Sequence, residues 1–487
     1  MPLKDLREFI HLLEQRSQLC RVTAPVSSAL EITEITDRVS KGPADANRAL
    51  LFENVTGSEL PVLINAFGSS QRMAWALGVE DLEELNQRLG RLIDPRLPKS
   101  MGQTLERGRD LLGALLSTGM RPKTVRNGPV QEIIHKENAS LDFLPVLQCW
   151  PKDGGRFITL PQVITRNPQT GVRNVGMYRL QVVDPTTLLV HWQRHKGGAD
   201  HALRAQNLHQ DKIPAVIALG GDPASMWCAS APLPPEIDEY LLAGYLRGGP
   251  IEFIKCATQP LEVPAQAEIA IEGYVDLADY RPEGPFGDHT GYYTPVEPFP
   301  TFKVTAVTHR ADPIYPATVV GIPPMEDVWM GKATERLFLP LIRLFMPEIL
   351  DVHMPAEGVF HNLVLVRLAK RYPGHARKVI HGLWGLGLLT LAKAVVVVDE
   401  WVDVQNVSIT AWQALGNVDW SRDIMVGPGP VDQLDHAASQ QSFGGKIGVD
   451  ATAKLPEEGY SRGWPEVVSM PPEVKLRIDE LWESLGL

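Results

Sequence analysis

The chain predicts a mixed α/β fold, α+β overall, with an antiparallel β-barrel or strongly curved sheet at its centre. Three observations predict it. The length of 487 residues, at roughly 150 residues per domain, gives a prior of about three domains. Helix-spaced apolar stripes alternate with strand-like runs at both ends of the chain. The middle instead runs strand after strand across short turns, which is a meander and not a parallel crossover. The expected division is an N-terminal α/β domain with a linker over 1–125, a barrel domain over 126–310, and a C-terminal α/β domain with a terminal helix over 311–487.

The elements follow in order. Leu6, Phe9, Ile10 and Leu13 recur at helical spacing. Leu19 to Val22 reads as a strand and Glu31 to Val39 as a helix. Ala49 to Val55 and Leu60 to Ala66 read as strands. Asp81 can cap a helix over Leu82 to Ile93. Asp94 to Asn127, rich in Arg, Gly and Pro, reads as a linker containing one helix. Phe157 to Thr165, Asn174 to Val183 and Thr187 to Gln193 are strands, separated by turns at Asn167-Pro168 and Asp184-Pro185. A helix near Asp200 to Asn207 precedes strands at Ala215 to Leu219, Ile251 to Ala257 and Ala267 to Val275. Phe360 to Leu368 is a strand and His375 to Leu389 is helical in part. The valines of Ala394 to Asp399 suit a buried parallel strand. Pro471 to Leu485 closes the chain as an amphipathic helix, with Val474, Ile478 and Leu481 on one side.

Composition narrows the function classes. Lys plus Arg number 47 against 58 Asp plus Glu, a net charge of −11. Such a chain repels a phosphate backbone, so no nucleic-acid partner is expected. The start MPLKDLREF has no apolar signal core. The most apolar stretch, Leu383 to Val398, is interrupted by Lys393 and too short to span a bilayer. Cys20, Cys149, Cys228 and Cys256 are widely spaced without a CxxC pair, as in a reducing compartment. A cytoplasmic, soluble, multi-domain protein is expected.

Common catalytic signatures are absent: no phosphate loop of the GxxxxGK[ST] type, no HExxH, no GxSxG and no GxGxxG placed after a strand. What remains is a constellation in the middle, each member with a plain reading beside the functional one. Asn174 can close the turn begun at Asn167, or join a His and a Glu around a divalent ion such as manganese or magnesium. Glu239 can simply favour a helix dipole after Pro234-Pro235. Arg179 can be an ordinary barrel residue or a fixed cation that orients a carboxylate. Asn174 and Arg179 differ by five, so a regular strand points them to opposite faces unless Gly176 hosts a bulge. Glu283 and Asp288 bracket Gly284-Pro285-Phe286-Gly287, a compact turn. Two acids held close can have their pKa values pushed apart, giving one donor and one base near neutral pH. Lys393 is either a snorkelling side chain or a phosphate contact from the C-terminal part.

The segments LEITEITDR, ALLFENV, NVGMYR, HWQRHKGG, EYLLAGYLRG, EVPAQAEIAIEGY, PEGPFGDHTGYY, GIPPMED and GGKIGVDAT occur in order over nearly the whole chain. Together they resemble the UbiD-type decarboxylases, with the look of the quinone-biosynthesis branch, the 4-hydroxy-3-polyprenylbenzoate decarboxylases. The resemblance implies a split β-barrel that binds prenylated FMN, a divalent metal, usually manganese, and a monovalent cation such as potassium. It places the metal on Asn174, His195 and Glu239, with His191 as the alternative to His195. It places cofactor contacts on Thr159, Met177, Tyr178, Arg179, His191, Trp192, Gln193, Lys196, Gly197 and Lys393. It makes Arg179, Glu283 and Asp288 the catalytic set, Asp288 standing where some members carry Glu.

The implied activity is non-oxidative decarboxylation of an aromatic acid, in which the cofactor acts as electron sink and the protein orients and protonates. A polyprenylated 4-hydroxybenzoate is the first expectation. Another aromatic, naphthoic or heteroaromatic acid, or the reverse carboxylation, is the second, to be decided near Ile322 to Glu326 and near Phe443. A flavin carrier without catalysis would not need both acids. The resemblance further implies a flavin prenyltransferase as cofactor supplier, a homo-oligomer (dimer to hexamer) built through the C-terminal domain, and at most peripheral membrane contact.

Overall fold

The computed structural model describes residues 3–93, 122–193 and 196–486. The linker helix expected between Asp94 and Asn127 lies outside them, apart from 122–127, where Lys123–Thr124 is a short strand.

The N-terminal part is α/β. Helix Leu6–Gln15 starts at Asp5, whose carboxylate accepts from the backbone N–H groups of Arg7 and Glu8. The helix buries the expected face, Leu6, Phe9, Ile10 and Leu13, each worth about 1.5–3 kcal/mol when removed from water. That face packs on a four-stranded sheet ordered Leu19–Val22, Ala49–Phe52, Val62–Ile64 and Tyr315–Pro316. Its last strand comes from far down the chain, after the barrel strands in sequence.

The centre is a nine-stranded antiparallel sheet. The order along it is Arg173–Gly176, Gln162–Arg166, Lys212–Leu219, Ile269–Glu283, Glu297–His309, Thr187–Val190, Leu180–Asp184 and Phe157–Ile158, with Ile133–His135 added to Glu297–His309. The two long strands, of 15 and 13 residues, form its spine. Their register shifts at Glu272/Gly273 and between Asp276 and Tyr280, and such bulges curve a sheet. Arg173–Gly176 and Leu180–Asp184 are adjacent in sequence yet lie near opposite edges of the sheet. Three residues, Met177 to Arg179, carry the chain across. At ~3.3–3.6 Å per residue the two edges stand no more than about 14 Å apart, so the sheet curls into a barrel with a split.

This corrects the expectation of a single strand over Asn174 to Val183. The chain leaves one edge at Gly176 and rejoins at the other, because the hydrogen-bonding partners lie on opposite sides of the barrel. The stretches Phe157 to Thr165 and Ala49 to Val55 likewise divide, into Phe157–Ile158 with Gln162–Arg166 and Ala49–Phe52 with Val55–Thr56.

The 20-residue helix Glu326–Phe345 leads to the C-terminal part. Its sheet is ordered Ile349–His353, Leu363–Leu368, Ala394–Asp399, Phe443–Asp450 and Ile424–Pro430. Ala394–Asp399 is the valine-rich strand, parallel to both its neighbours. The final helix, Pro472–Leu481, buries none of its residues against the chain.

Candidate active site

Arg179 sits where the chain crosses the barrel split, and its side chain is 8% exposed. Its Nε and Nη2 donate to Glu283 Oε1 and Oε2 at 2.7 and 3.1 Å, a forked pair. Its Nη1 donates to Asp288 Oδ2, and Nη2 also reaches Thr294 Oγ1 at 3.3 Å. The guanidinium lies 4.8 Å from the centre of the Phe286 ring. One cation therefore joins the last residue of Ile269–Glu283 to the loop that follows it.

That loop is built tightly. Gly284 takes φ of +93°, a conformation that favours glycine, and its N–H donates to Gln181 Oε1 at 2.8 Å. A Cβ on Gly287 would stand 2.2 Å from Trp150 Cδ1. Asp153 accepts from the N–H of Gly287 and of Trp150, each at 2.8 Å, tying the acidic loop to the chain before the barrel.

His191 follows strand Thr187–Val190. Its Nδ1–H donates to Glu283 Oε2 at 3.2 Å and its ring lies tilted against Phe299, 4.2 Å between centres. Its Nε2 is buried without a partner among the described residues, as is Trp192 Nε1. Burial would raise Glu283, but the bonds from His191 and Arg179 outweigh it and hold the acid at about 2. Burial opposes ionisation of Asp288 too, and His289 and Arg179 hold it well below the usual range. The expected separation into one donor and one base is thus not what the structure shows. Each acid has its own imidazole and both share the arginine, so both are carboxylates.

A second group forms at the opposite end of the crossover. Glu239 opens helix Glu239–Arg247 and its Oε2 accepts from the Val175 N–H at 2.7 Å. Burial pushes this carboxyl up to about 7. Next to Val175, Asn174 donates to the Tyr178 hydroxyl at 3.3 Å, which also accepts from the Gly198 N–H at 3.1 Å. A Cβ on Gly197 would stand 1.9 Å from Asn174 Oδ1. Asn174, Tyr178, Gly197 and Glu239 are therefore one cluster. The strand break resolves the parity conflict between Asn174 and Arg179: Asn174 is on strand Arg173–Gly176 and Arg179 is the last residue of the crossover, and no bulge at Gly176 is involved.

Other expected residues are more scattered. Thr159 Oγ1 accepts from the Thr318 N–H at 3.1 Å, and the Met177 N–H donates to Ala229 O at 2.8 Å. Gln193 O accepts from the Lys196 N–H at 3.1 Å, and Lys196 stands at the start of helix Gly197–Asn207. His195 lies outside the described residues. Lys393 is in the C-terminal part and pairs with Asp435 Oδ1 at 2.9 Å, and its ion pair joins it to the C-terminal sheet side of the molecule, not to the Asn174 cluster. Asp153, Gln181, Thr294 and His289 were not singled out by sequence. Only His289 had a visible signal, as the neighbour of an acid in a Gly-rich turn.

The chemistry of these groups fits a bound anionic cofactor and a divalent metal. A buried Glu whose carboxyl burial pushes up to about 7, an amide oxygen pressed against a glycine, and two orphaned ring nitrogens all want partners. Among the described residues no three His, Cys, Asp or Glu stand close enough to hold a metal, so such an ion would depend on Asn174 and on His195.

The fold around this site, matched by family models and by solved relatives, is that of an enzyme of the carboxy-lyase class. Residues 10–91, 123–323 and 328–451 match the N-terminal, Rift-related and C-terminal domains of 3-octaprenyl-4-hydroxybenzoate carboxy-lyase. The chain belongs to this family, the UbiD family. A protein of Aquifex aeolicus, described as uncharacterized, is 52% identical over 99% of both chains. The vanillic acid decarboxylase of Sedimentibacter hydroxybenzoicus, in closed form, matches with TM-score 0.86 and 26% identity over 100% of both chains. An evolved dimeric form of the UbiD-class enzyme HmfF from Pelotomaculum thermopropionicum, in complex with prFMN, matches with TM-score 0.79 and 27% identity, over 98% of this chain and 99% of that one. No helix among the described residues is long and apolar enough to cross a membrane.

Proposed function

We propose that the protein decarboxylates an aromatic carboxylic acid with prenylated FMN, and that its substrate is a 4-hydroxy-3-polyprenylbenzoate on the way to a quinone. The observation that carries this is Arg179, buried and shared by Glu283 and Asp288. A substrate carboxylate entering the site competes for the guanidinium. Arg179 keeps its fork to Glu283, which His191 steadies, and gives up its single bond to Asp288. Losing that cation raises the proton affinity of Asp288, and it becomes the acid that protonates the ring carbon vacated by carbon dioxide. Bound prenylated FMN supplies the electron sink that an aryl carbanion lacks.

Asn174, Glu239 and His195 would hold a manganese or magnesium ion beside the cofactor phosphate, with a monovalent cation nearby. Thr159, Met177, Tyr178, His191, Trp192, Gln193, Lys196 and Gly197 would line the cofactor, and Lys393 would approach it from the C-terminal part. A flavin prenyltransferase would supply the cofactor. The protein would work as a cytoplasmic homo-oligomer with at most peripheral membrane contact.

Similarity to a vanillic acid decarboxylase favours a second substrate reading, a small phenolic acid. The test is co-expression with a flavin prenyltransferase, then mass spectrometry, metal analysis and carbon dioxide release. Bound prenylated FMN with one divalent metal, and turnover of a prenylated 4-hydroxybenzoate over vanillate, is expected. Preference for vanillate moves the substrate to the second reading. Loaded enzyme that releases carbon dioxide from no aromatic acid overturns the function.

A further inference from the structure

Decarboxylation of an aromatic carboxylate consumes one proton per turnover: ArCOO⁻ + H⁺ gives ArH + CO₂. The carbon–carbon bond breaks, its electron pair stays on the ring carbon, and a proton takes the pair; nothing is oxidised or reduced. Asp288 is 8% exposed and is a carboxylate at rest, so it must be recharged from elsewhere in each cycle.

The structure holds a chain of groups that ends on this acid. His289 Nδ1 lies 2.8 Å from Asp288 Oδ1, on the carboxylate oxygen opposite the one Arg179 holds. Its Nε2 lies 3.0 Å from Nε2 of His361. His361 comes from the C-terminal part, just before strand Leu363–Leu368, and is 72 positions away in sequence. Phe360 packs on His289 at 5.5 Å between ring centres. At the far end, His361 Nδ1 is buried with no partner among the described residues, and so are Asn362 Oδ1 and Asp435 Oδ2, also in the C-terminal part.

We propose that His289 and His361 are a proton-supply line to Asp288, entered at the seam between the barrel and the C-terminal sheet. The inference rests on the decarboxylase reading above. Because a carboxylate only accepts, His289 Nδ1 carries the hydrogen toward Asp288, and its Nε2 exchanges a hydrogen with His361 Nε2. A proton taken up at His361 Nδ1 moves one from His361 Nε2 to His289 Nε2 and one from His289 Nδ1 to Asp288. The two rings then reset their tautomers. The groups facing His289 are Asp288, Asp327, Asp432 and His361; those facing His361 are His289, Asp288, Asp432 and Lys196. Burial alone would lower both imidazoles. The acids around His289 reverse that and raise it, whereas His361 stays lowered by burial and by the charge of His289. Both histidines are positioning residues, acting on substrate only through Asp288.

The test uses the cofactor-loaded full chain and the variants His289→Asn, His361→Phe and His361→Gln. Asn at 289 can keep the bond to Asp288 but breaks the link to His361. Gln at 361 can keep a bond to His289 Nε2 but passes no proton across. All three are expected to lose at least tenfold in kcat, with KM and cofactor content unchanged, a deficit that grows toward alkaline pH, and partial rescue by added imidazole. Full activity in His361→Gln reduces the role to packing and overturns the line, as does wild-type kcat in His289→Asn. Histidine C2-hydrogen exchange read by mass spectrometry separates this from the function itself. Loss of His361 is expected to shift the exchange midpoint of His289 by about half a unit or more. An unmoved midpoint overturns the coupling even if the wild type is active. A wild type that decarboxylates nothing, with the midpoint shift intact, overturns the proposed function and leaves the hydrogen-bonded line standing.

Discussion

At the residue scale, the site turns on one guanidinium serving three side chains. The fork to Glu283 uses Nε and Nη2, while Nη1 is left for Asp288. An ammonium at this point has no fork, so lysine is not a conservative replacement. The acids differ in how they would fail. Glu283→Gln can still meet His191 but gives Arg179 only one acceptor, so the arginine loses its orientation. Asp288→Asn keeps its volume but has no proton to deliver. Each substitution is expected to lower kcat by about 10²–10⁴, while mass spectrometry still finds the cofactor, because neither acid belongs to the Asn174 and Glu239 cluster. Loss of cofactor from either variant would place that acid in cofactor binding instead.

At the element scale, the crossover from Gly176 to Leu180 decides the site, because it sets Asn174 and Arg179 at the two rims of one split. A Cβ on Gly176 would stand 2.0 Å from Tyr178 Cζ, so Gly176→Val must drive the Tyr178 ring away. The tyrosine hydroxyl then releases the Asn174 amide and the Gly198 N–H. The expected outcome is a stability loss of about 1–3 kcal/mol, read by chemical denaturation, together with weaker cofactor retention than in an Arg179→Lys variant. Normal retention would mean that the Tyr178 contacts do not shape the cofactor end. This crossover also marks the limit of what could be read from the chain. Leu6, Phe9, Ile10 and Leu13, or the valines of Ala394–Asp399, announce themselves because burial repeats with the local period. Residues 173–184 mix apolar and polar side chains with no break in pattern at Gly176, and what divides them is the presence of different partners, Gln162–Arg166 on one side and Thr187–Val190 on the other. No local pattern encodes that choice. The motifs of the resemblance identified Arg179, Glu283 and Asp288 as a set, and the structure brings the three together. The meeting of His289 with His361 depends on two domains closing on each other, which neither spacing nor motif can show.

At the scale of the whole molecule, buried acids couple stability to pH and an exposed helix couples it to assembly. Glu283 in the barrel and Glu335 in the helix Glu326–Phe345 are both held at about 2. Burial opposes this in Glu335, but His353, Lys332 and Arg336 outweigh it. Unfolded glutamate titrates near ~4.3. A carboxyl lower in the folded state contributes stability that is full above the unfolded value and is lost as pH falls through the folded one. Denaturant midpoints are therefore expected to fall between about pH 4.5 and 2, and Glu335→Gln should flatten that limb; an unchanged slope would move the acid sensitivity elsewhere. The terminal helix poses the other question. Pro472–Leu481 carries Val474, Ile478 and Leu481 on one side, each 38–39% exposed, with Leu476, Trp482 and Leu485 exposed further still. A helix of ten residues is marginal by itself in water, so its apolar side needs a surface that the described residues of one chain do not provide. In the proposed homo-oligomer a second copy provides it. Deleting residues 470–487 should then lower the molar mass measured by light scattering to that of a smaller assembly, and leave the far-ultraviolet spectrum of the remaining chain nearly unchanged. An unaltered molar mass would assign the oligomer contact to another face of the C-terminal part, and the helix would need a different covering.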